Sequence, residues 1–269
     1  MRTIVHLSDL HFGRVEAGIV APLLAAIRNA SPHLIAISGD FTQRARQRQF
    51  AEARAFIQSL EHPYLAVPGN HDVPLYDVAR RFLRPLARYK RFIAAELEPS
   101  HVDDEIAVVG LNSARSLTFG RGRLNERQIA RAAERLRDVD PRLIKIVVTH
   151  HPFDLPDDYR AEHLMGRAKQ AMAAFAAAGA DLFLAGHLHV SHIGRTAERY
   201  KIAGHSALVV QAGTISARLR GEPNSFNVLQ VNRPDITVAR HTWDDATQQF
   251  VGGMPRAFRH GPEGWTEKP

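Results

Sequence analysis

The sequence predicts an α/β fold in which two sheets pack together with helices outside them. Three observations carry that prediction. Five apolar runs with strand character, residues 3–7, 34–38, 64–67, 144–149 and 182–185, are each followed at once by a short polar island. The first three islands recur at regular spacing, 31 residues from Asp9 to Asp40 and 30 from Asp40 to Asn70. Each gap matches one βαβ step of roughly 30 residues. From residue 182 the reading changes to short strands joined by turns, at 182–185, 207–211, 226–231 and 237–243. Strands alternating with helices, then strands alone, fit two packed sheets flanked by helices.

The intervening elements follow in order. Residues 20–29 carry apolar side chains at helical spacing and close at Ser31-Pro32, where a helix should stop. Thr42 is the expected N-cap of a second helix running to Leu60, with Phe50, Ala53, Ile57 and Leu60 along one face. Residues 73–100 interrupt the pattern with a basic segment, helical over 77–97. A strand over 106–111 and a helix over 125–137 precede the fourth island strand. An Ala-rich helix is expected over 161–178, stopped by Gly179. The resulting division is one domain over 1–251 with a basic helical insertion at 73–100. The tail 252–269, rich in Gly, Pro and charge, is expected to be an irregular arm reaching over a partner subunit of a homo-oligomer.

Composition sets broad limits. A chain of 269 residues that is 45% hydrophobic can build one large core. It has no apolar run of about 18 residues, so no membrane-spanning helix is expected. The first strand begins at residue 3 and is too short for a signal-peptide core. Zero Cys excludes disulfides, thiolate catalysis and Cys-ligated zinc, and a cytoplasmic location is the expectation. The formal charge is +7, with Arg44, Arg46 and Arg48 after the second island and Arg80, Arg81, Arg84, Arg88, Lys90 and Arg91 after the third. These are read first as solvated helix faces. The alternative is a basic approach to the island edge, attracting an anionic substrate, nucleic acid or acidic lipid.

The islands are Asp9-x-His11, Gly39-Asp40, Gly69-Asn70-His71-Asp72, His150-His151-Pro152 and Gly186-His187-x-His189. Turns after parallel strands converge on one edge of a sheet, where open α/β sheets place ligands. Asp9 and Asp40 offer carboxylates, Asn70 an amide oxygen, and His11, His150, His187 and His189 imidazoles. Seven nitrogen and oxygen donors without sulfur describe a site for two borderline or hard divalent metals, such as manganese, iron or zinc. Two dications with two aspartates leave a net charge of about +2, suited to a phosphate ester. The unperturbed pKa of a histidine, about 6.5, would suit His71 to proton donation to a leaving oxygen near neutrality. Asp72 is read either as an orienting carboxylate or as a turn residue.

These five blocks, in order over residues 9–189, resemble the calcineurin-like metallophosphoesterases, whose pattern is D-x-H, G-D, G-N-H-[DE], an isolated His and G-H-x-H. The resemblance implies a four-layer αββα sandwich with a dinuclear centre at the sheet edge. It implies that Asp9, His11 and His189 hold one metal, that Asn70, His150 and His187 hold the other, and that Asp40 bridges them. His71 becomes the catalytic histidine outside the metal shell, and His150 is preferred over His151 as ligand. The Leu7-Ser8-Asp9-Leu10-His11 opening and the short chain look like the bacterial cyclic-nucleotide phosphodiesterase branch. The implied reaction is attack of a metal-bridging hydroxide on a small phosphodiester, a cyclic nucleotide or glycerophosphodiester. Alternatives are a nuclease or a lipid-linked pyrophosphate hydrolase of the same family. A non-catalytic metal-binding module is the reading from a different class.

Asn112, His192 and Arg218 are the expected substrate contacts outside the blocks. Asn112 follows the strand at 106–111, His192 lies just past the last island, and Arg218 suits bidentate phosphate binding. The histidines away from the islands, His6 and His163 among them, are read as surface or core.

Overall fold

The computed structural model describes residues 1–118, 120–200, 202 and 205–268. In chain order the elements are β1 (Arg2–Leu7), α1 (Ala17–Ala30), β2 (Leu34–Ser38), α2 (Gln47–Gln58), β3 (Tyr64–Val67), α3 (Val78–Leu83), α4 (Ala87–Phe92), β4 (Ser100–Val102) and β5 (Ile106–Gly110). There follow α5 (Glu126–Arg137), β6 (Ile144–Val148), α6 (Ala168–Ala177), β7 (Leu182–Ala185), β8 (His192–Arg195), α7 (Thr196–Tyr200) and β9 (Leu208–Gln211). The chain ends with β10 (Ser225–Asn232), β11 (Asp235–Asp244), β12 (Gln249–Gly252), β13 (Arg256–Gly261) and β14 (Gly264–Glu267).

One sheet runs β14-β13-β11-β10-β1-β2-β3, with β12 also paired to β11; the other runs β4-β5-β6-β7-β9-β8. Within them β1, β2 and β3 are parallel, as are β5, β6, β7 and β9. The period-2 alternation of each strand sorts its side chains between layers. Ile4, Leu34, Ala36, Leu65 and Val67 of the first sheet pack against Ile106, Val108, Ile146, Leu184 and Val210 of the second. Their neighbours Val5, Leu7, Ile35 and Ile37 turn outward to meet Ile19, Leu23 and Ile27 of α1 and Phe50, Ala53 and Phe56 of α2. Val109, Val147, Phe183 and Val209 likewise meet Ile129, Ala133 and Leu136 of α5 and Met172 and Phe175 of α6. This is the αββα sandwich. The crossovers are helices, so β1, β2, β3, β6 and β7 all end at one edge.

Four local expectations differ from the structure. The second helix starts at Gln47, not after Thr42. Thr42 Oγ1 accepts Ala45 N–H at 3.0 Å and also meets Asp72 Oδ1 at 3.1 Å, while Gln49 Oε1 accepts the Arg44 and Arg46 N–H groups. Segment 77–97 is two short helices, since Pro85 between them has no N–H to carry a helix through. The Ala-rich helix begins only at Ala168. Arg167 before it is left-handed (φ 67°), and Gly166 bridges to Arg123, so residues 161–163 form a separate 3-10 turn.

The tail is not an irregular arm. β13 and β14 form a hairpin that joins the first sheet through β11, and Gly261-Pro262-Glu263-Gly264 is its turn. Phe258 and Trp265 from it are 1% exposed, in the core between the sheets, and Trp265 Nε1 donates to Asp181 Oδ1 at 2.9 Å. Among the described residues no helix is long and apolar enough to cross a membrane.

Candidate metal centre

The five islands arrive at this common edge on distorted backbone. Asp9, His11, Asp40, His187 and His189 all have positive φ, from 45° to 76°. That is five of the seven expected ligands. Such conformations cost of order 1–3 kcal/mol each for non-glycine residues and persist only where the surroundings impose them. Two glycines permit the close packing. A Cβ on Gly69 would lie 2.1 Å from Asp40 Oδ1, and one on Gly186 would lie 1.7 Å from Ser8 Oγ.

The donor atoms fall into two groups with Asp40 between them. In the first, His189 Nε2 is 3.1 Å and His11 Nε2 is 3.5 Å from Asp9 Oδ1, and the two nitrogens are 3.0 Å apart. In the second, His150 Nε2 is 3.1 Å from Asn70 Oδ1 and 3.3 Å from His187 Nδ1. Asp40 Oδ2 is 3.6 Å from His11 Nε2 and 3.4 Å from His150 Nε2. Asp9, His11, Asp40 and His150 are each 0–1% exposed.

This donor set fits two divalent cations. His150 Nδ1 lies 2.7 Å from Ser38 O and His189 Nδ1 lies 2.6 Å from Arg218 O, so each must donate there. A neutral ring then turns the bare lone pair of Nε2 toward carboxylate and amide oxygens. Asp9 Oδ1 is buried with no hydrogen-bond partner among the described residues. Lone pairs collected around buried carboxylates require positive charge between them. Without metal, protons supply it. Burial works against both carboxylates, yet His189 and His11 hold Asp9 well below the usual range, and His150 and His71 do the same for Asp40. Burial also opposes a charged His150, but Asp40 raises it to about 9. His187 is pushed down to about 3 by burial and by His150.

His151 lies beside His150 and His187. Its Nδ1 is 2.8 Å from Ser113 Oγ and its Nε2 is 3.2 Å from Gly120 O, so both nitrogens are engaged elsewhere. His71 stands just outside the first group, its ring edge-on to His11 at 4.7 Å. Its Nδ1 donates to Gln43 O at 2.8 Å, and its Nε2 accepts from Arg218 Nη1 at 3.0 Å. Asp72 ties two islands together. Oδ2 accepts Phe41 N–H and Gly69 N–H, and Oδ1 accepts Thr42 N–H and Oγ1–H, at 3.0–3.2 Å.

A sequence model of the calcineurin-like phosphoesterases matches residues 2–191. The chain belongs to the calcineurin-like phosphoesterase family. A curated relative from Synechococcus sp., a probable cyclic nucleotide phosphodiesterase, is 27% identical over 81 residues, which are 27% of this chain and 32% of the relative. The chain thus spans about a third of the length of that relative. Two solved structures share the fold. A dimetal phosphatase from Danio rerio matches 93% of this chain and 98% of its own at 11% identity, with a TM-score of 0.67. A purple acid phosphatase from yellow lupin (Lupinus luteus) matches 94% of this chain and 53% of its own at 11% identity, with a TM-score of 0.70.

Beside the donor cluster lies a cavity of about 440 Å³. Asp40, Asn70, His71, His187 and His189 form its floor, and Arg121, Arg218, Arg220, Tyr159, Glu162 and His163 its walls. Of the three substrate contacts expected from the sequence, Arg218 lines this cavity. Asn112 and His192 do not line this cavity. Asn112 Oδ1 caps a turn by accepting Ala114 N–H at 3.0 Å, and His192 faces Asp154 at 3.5 Å. His192 opens β8 opposite Gln211, level with the end of β7, but its ring turns to Asp154 and away from the cavity. The sequence reading missed Arg121, Tyr159 and His163. They sit midway along the long connections that follow β5 and β6, so no local pattern announces their position.

Proposed function

We propose that this phosphoesterase is a metal-dependent phosphodiesterase of small anionic diesters, with cyclic nucleotides and glycerophosphodiesters as its substrate class. The observation that carries the reading is the cavity itself. At about 440 Å³ it falls in the range of small-ligand sites, about 300–1,000 Å³. Its walls pair three arginines with the rings of Tyr159 and His163, whose centroids are 5.8 Å apart. Arginines suit a phosphate and aromatic rings suit a base or an apolar substituent. The name of the cyanobacterial relative agrees with this substrate class.

Asp9, His11, His189 and Asp40 would hold one dication, and Asp40, Asn70, His150 and His187 the other. Bound there, the pair supplies an activated water and Lewis-acid stabilisation of the phosphoryl oxygens. The chain's own groups do the rest. Arg218 offers N–H donors at the mouth of the first group and orients a diester oxygen. His71 is anchored through Nδ1–H on Gln43 O, so a proton taken up on Nε2 points into the cavity toward a leaving oxygen. The walls exclude water from the remainder of the ligand.

A panel assay with manganese, iron or zinc loaded separately tests the reading. Cyclic nucleotides of both regiochemistries, glycerophosphodiesters and bis-p-nitrophenyl phosphate should turn over faster than p-nitrophenyl phosphate, and Asp40→Ala and Asn70→Ala should abolish turnover. A strong preference for the monoester would overturn it.

A further inference from the structure

The insertion between β3 and β4 carries a surface that the reaction does not use. Tyr76, Val78, Phe82 and Leu83 are 75%, 63%, 49% and 80% exposed, and Leu117 from a separate loop is 78% exposed. The two segments adjoin, because the Arg81 side chain donates to both Pro74 O and Ser116 O. Large apolar side chains exposed together in this way mark an interaction surface.

The same surface is cationic. Arg84, Lys90 and Arg91 are exposed and have no ion-pair partner among the described residues. The one acid of α3 and its cap, Asp77, is already paired with Arg80 at 2.9 Å. Between this face and the 112–116 segment opens a second cavity of about 400 Å³, where Arg84, Lys90 and Arg115 surround Leu86, Leu97 and Ala114. An apolar floor ringed by cations takes an amphiphile with an anionic head.

We propose that the face built from α3, α4 and Leu117 docks on an anionic lipid surface. Its apolar side chains enter the interfacial region while the unpaired cations meet acidic headgroups, the combination that holds a protein at a membrane surface. A symmetric contact with a second copy is disfavoured, since it would bring Arg84, Lys90 and Arg91 of both chains together. The face also borders the metal centre. A smaller cavity of about 260 Å³ runs between them, lined by Leu75 and Arg81 at one end and Asn70 and His71 at the other. Docking therefore brings the mouth of the active site to the lipid boundary. This inference does not depend on which diester is hydrolysed.

Vesicle flotation of the metal-loaded full chain tests it. Vesicles of phosphatidylcholine with phosphatidylglycerol should carry the protein, and binding should fall with added salt; vesicles of phosphatidylcholine alone should carry little. Leu83→Ser and Arg84→Glu should each lower binding on the order of fivefold or more, with bis-p-nitrophenyl phosphate hydrolysis unchanged. The proposal is overturned if the wild type fails to float with anionic vesicles, or if both variants float as well as wild type. It is equally overturned if the wild type self-associates in sedimentation, Leu83→Ser abolishes that association and no vesicle binding is seen.

Discussion

Arg218 Nη1 lies 3.0 Å from His71 Nε2 and 3.3 Å from His11 Nε2, while its backbone oxygen holds His189 Nδ1 at 2.6 Å. One residue thus orients an expected metal ligand, His189, through its main chain and reaches His71, the proposed proton donor, through its side chain. A metal held by His11 would take the lone pair that Arg218 Nη1 faces, which would leave that N–H for substrate. Arg218→Ala keeps the backbone contact and should leave metal content intact. Loss of a charge-assisted hydrogen bond, about 1.5–3 kcal/mol, should lower kcat/KM for a diester about tenfold to a hundredfold, with partial recovery in Arg218→Lys. Unchanged kinetics would remove Arg218 from substrate binding.

His71 and its neighbour Asn70 should separate cleanly by mutation. His71→Asn should lower kcat by about 10²–10⁴, the usual contribution of a positioned proton donor, with both metals retained by elemental analysis. Asn70→Ala should lose metal as well. If His71→Asn also lost a metal, the imidazole would be a ligand.

Asp72 works at the level of loop geometry. Burial and the Asp40 charge push its carboxyl up to about 7, against the backbone N–H groups that favour the ionised form. Both oxygens accept from two donors, so Asp72→Asn must turn an NH₂ toward N–H or O–H groups whichever way it is placed. The expected cost is about 1–3 kcal/mol in urea unfolding, with weaker metal affinity as the Asp40 loop loosens. A variant of wild-type stability would show that the clamp is dispensable.

His6 gives a pH dependence of definite sign. It is fully buried in β1, with Nε2 2.9 Å from Ser38 Oγ, and burial lowers its pKa from 6.5 to about 3. The unfolded chain therefore binds a proton that the folded chain refuses between pH 6.5 and about 3. Stability from this group is fully present above 6.5 and is lost as the pH falls, at about 1.4 kcal/mol per pH unit. Thermal melts of wild type and His6→Asn across this window should show a shallower acid loss in the variant. Parallel profiles would assign the acid loss to other groups.

Trp265 tests the C-terminal hairpin. Trp265→Ala removes a ring that is 1% exposed and leaves Asp181 Oδ1 without its indole donor. A loss of about 3–5 kcal/mol is expected. A change below about 1 kcal/mol in denaturant unfolding would mean that the hairpin contributes little to the core.

The donor cluster was legible in the sequence because each island follows an apolar strand, the first three at βαβ spacing. Parallel strands joined by helices must end at one edge, so local pattern and topology agree. Helix boundaries and the tail were less legible. Thr42 has the chemistry of a cap, but the nearness of Asp72, a contact over 30 residues, draws it into the loop clamp instead. Gly261 through Gly264 has the composition of an irregular segment, yet it turns a hairpin because Trp265 and Phe258 find space between the sheets.

The sequence by itself determined two packed sheets with helices outside them and the gathering of seven candidate donors, with His71 beside them, at one edge. It did so because strand periodicity and ligand chemistry are written in neighbouring residues. Only the tertiary structure gave both nitrogens of His151 to Ser113 and Gly120 while turning His150 Nε2 toward Asn70 and Asp40. It alone excluded Asn112 and His192 from the cavity and brought Arg121, Tyr159 and His163 into it. The reason is that a ligand set is held by strands of fixed direction, whereas a cavity wall is built by loops whose paths depend on everything they pack against.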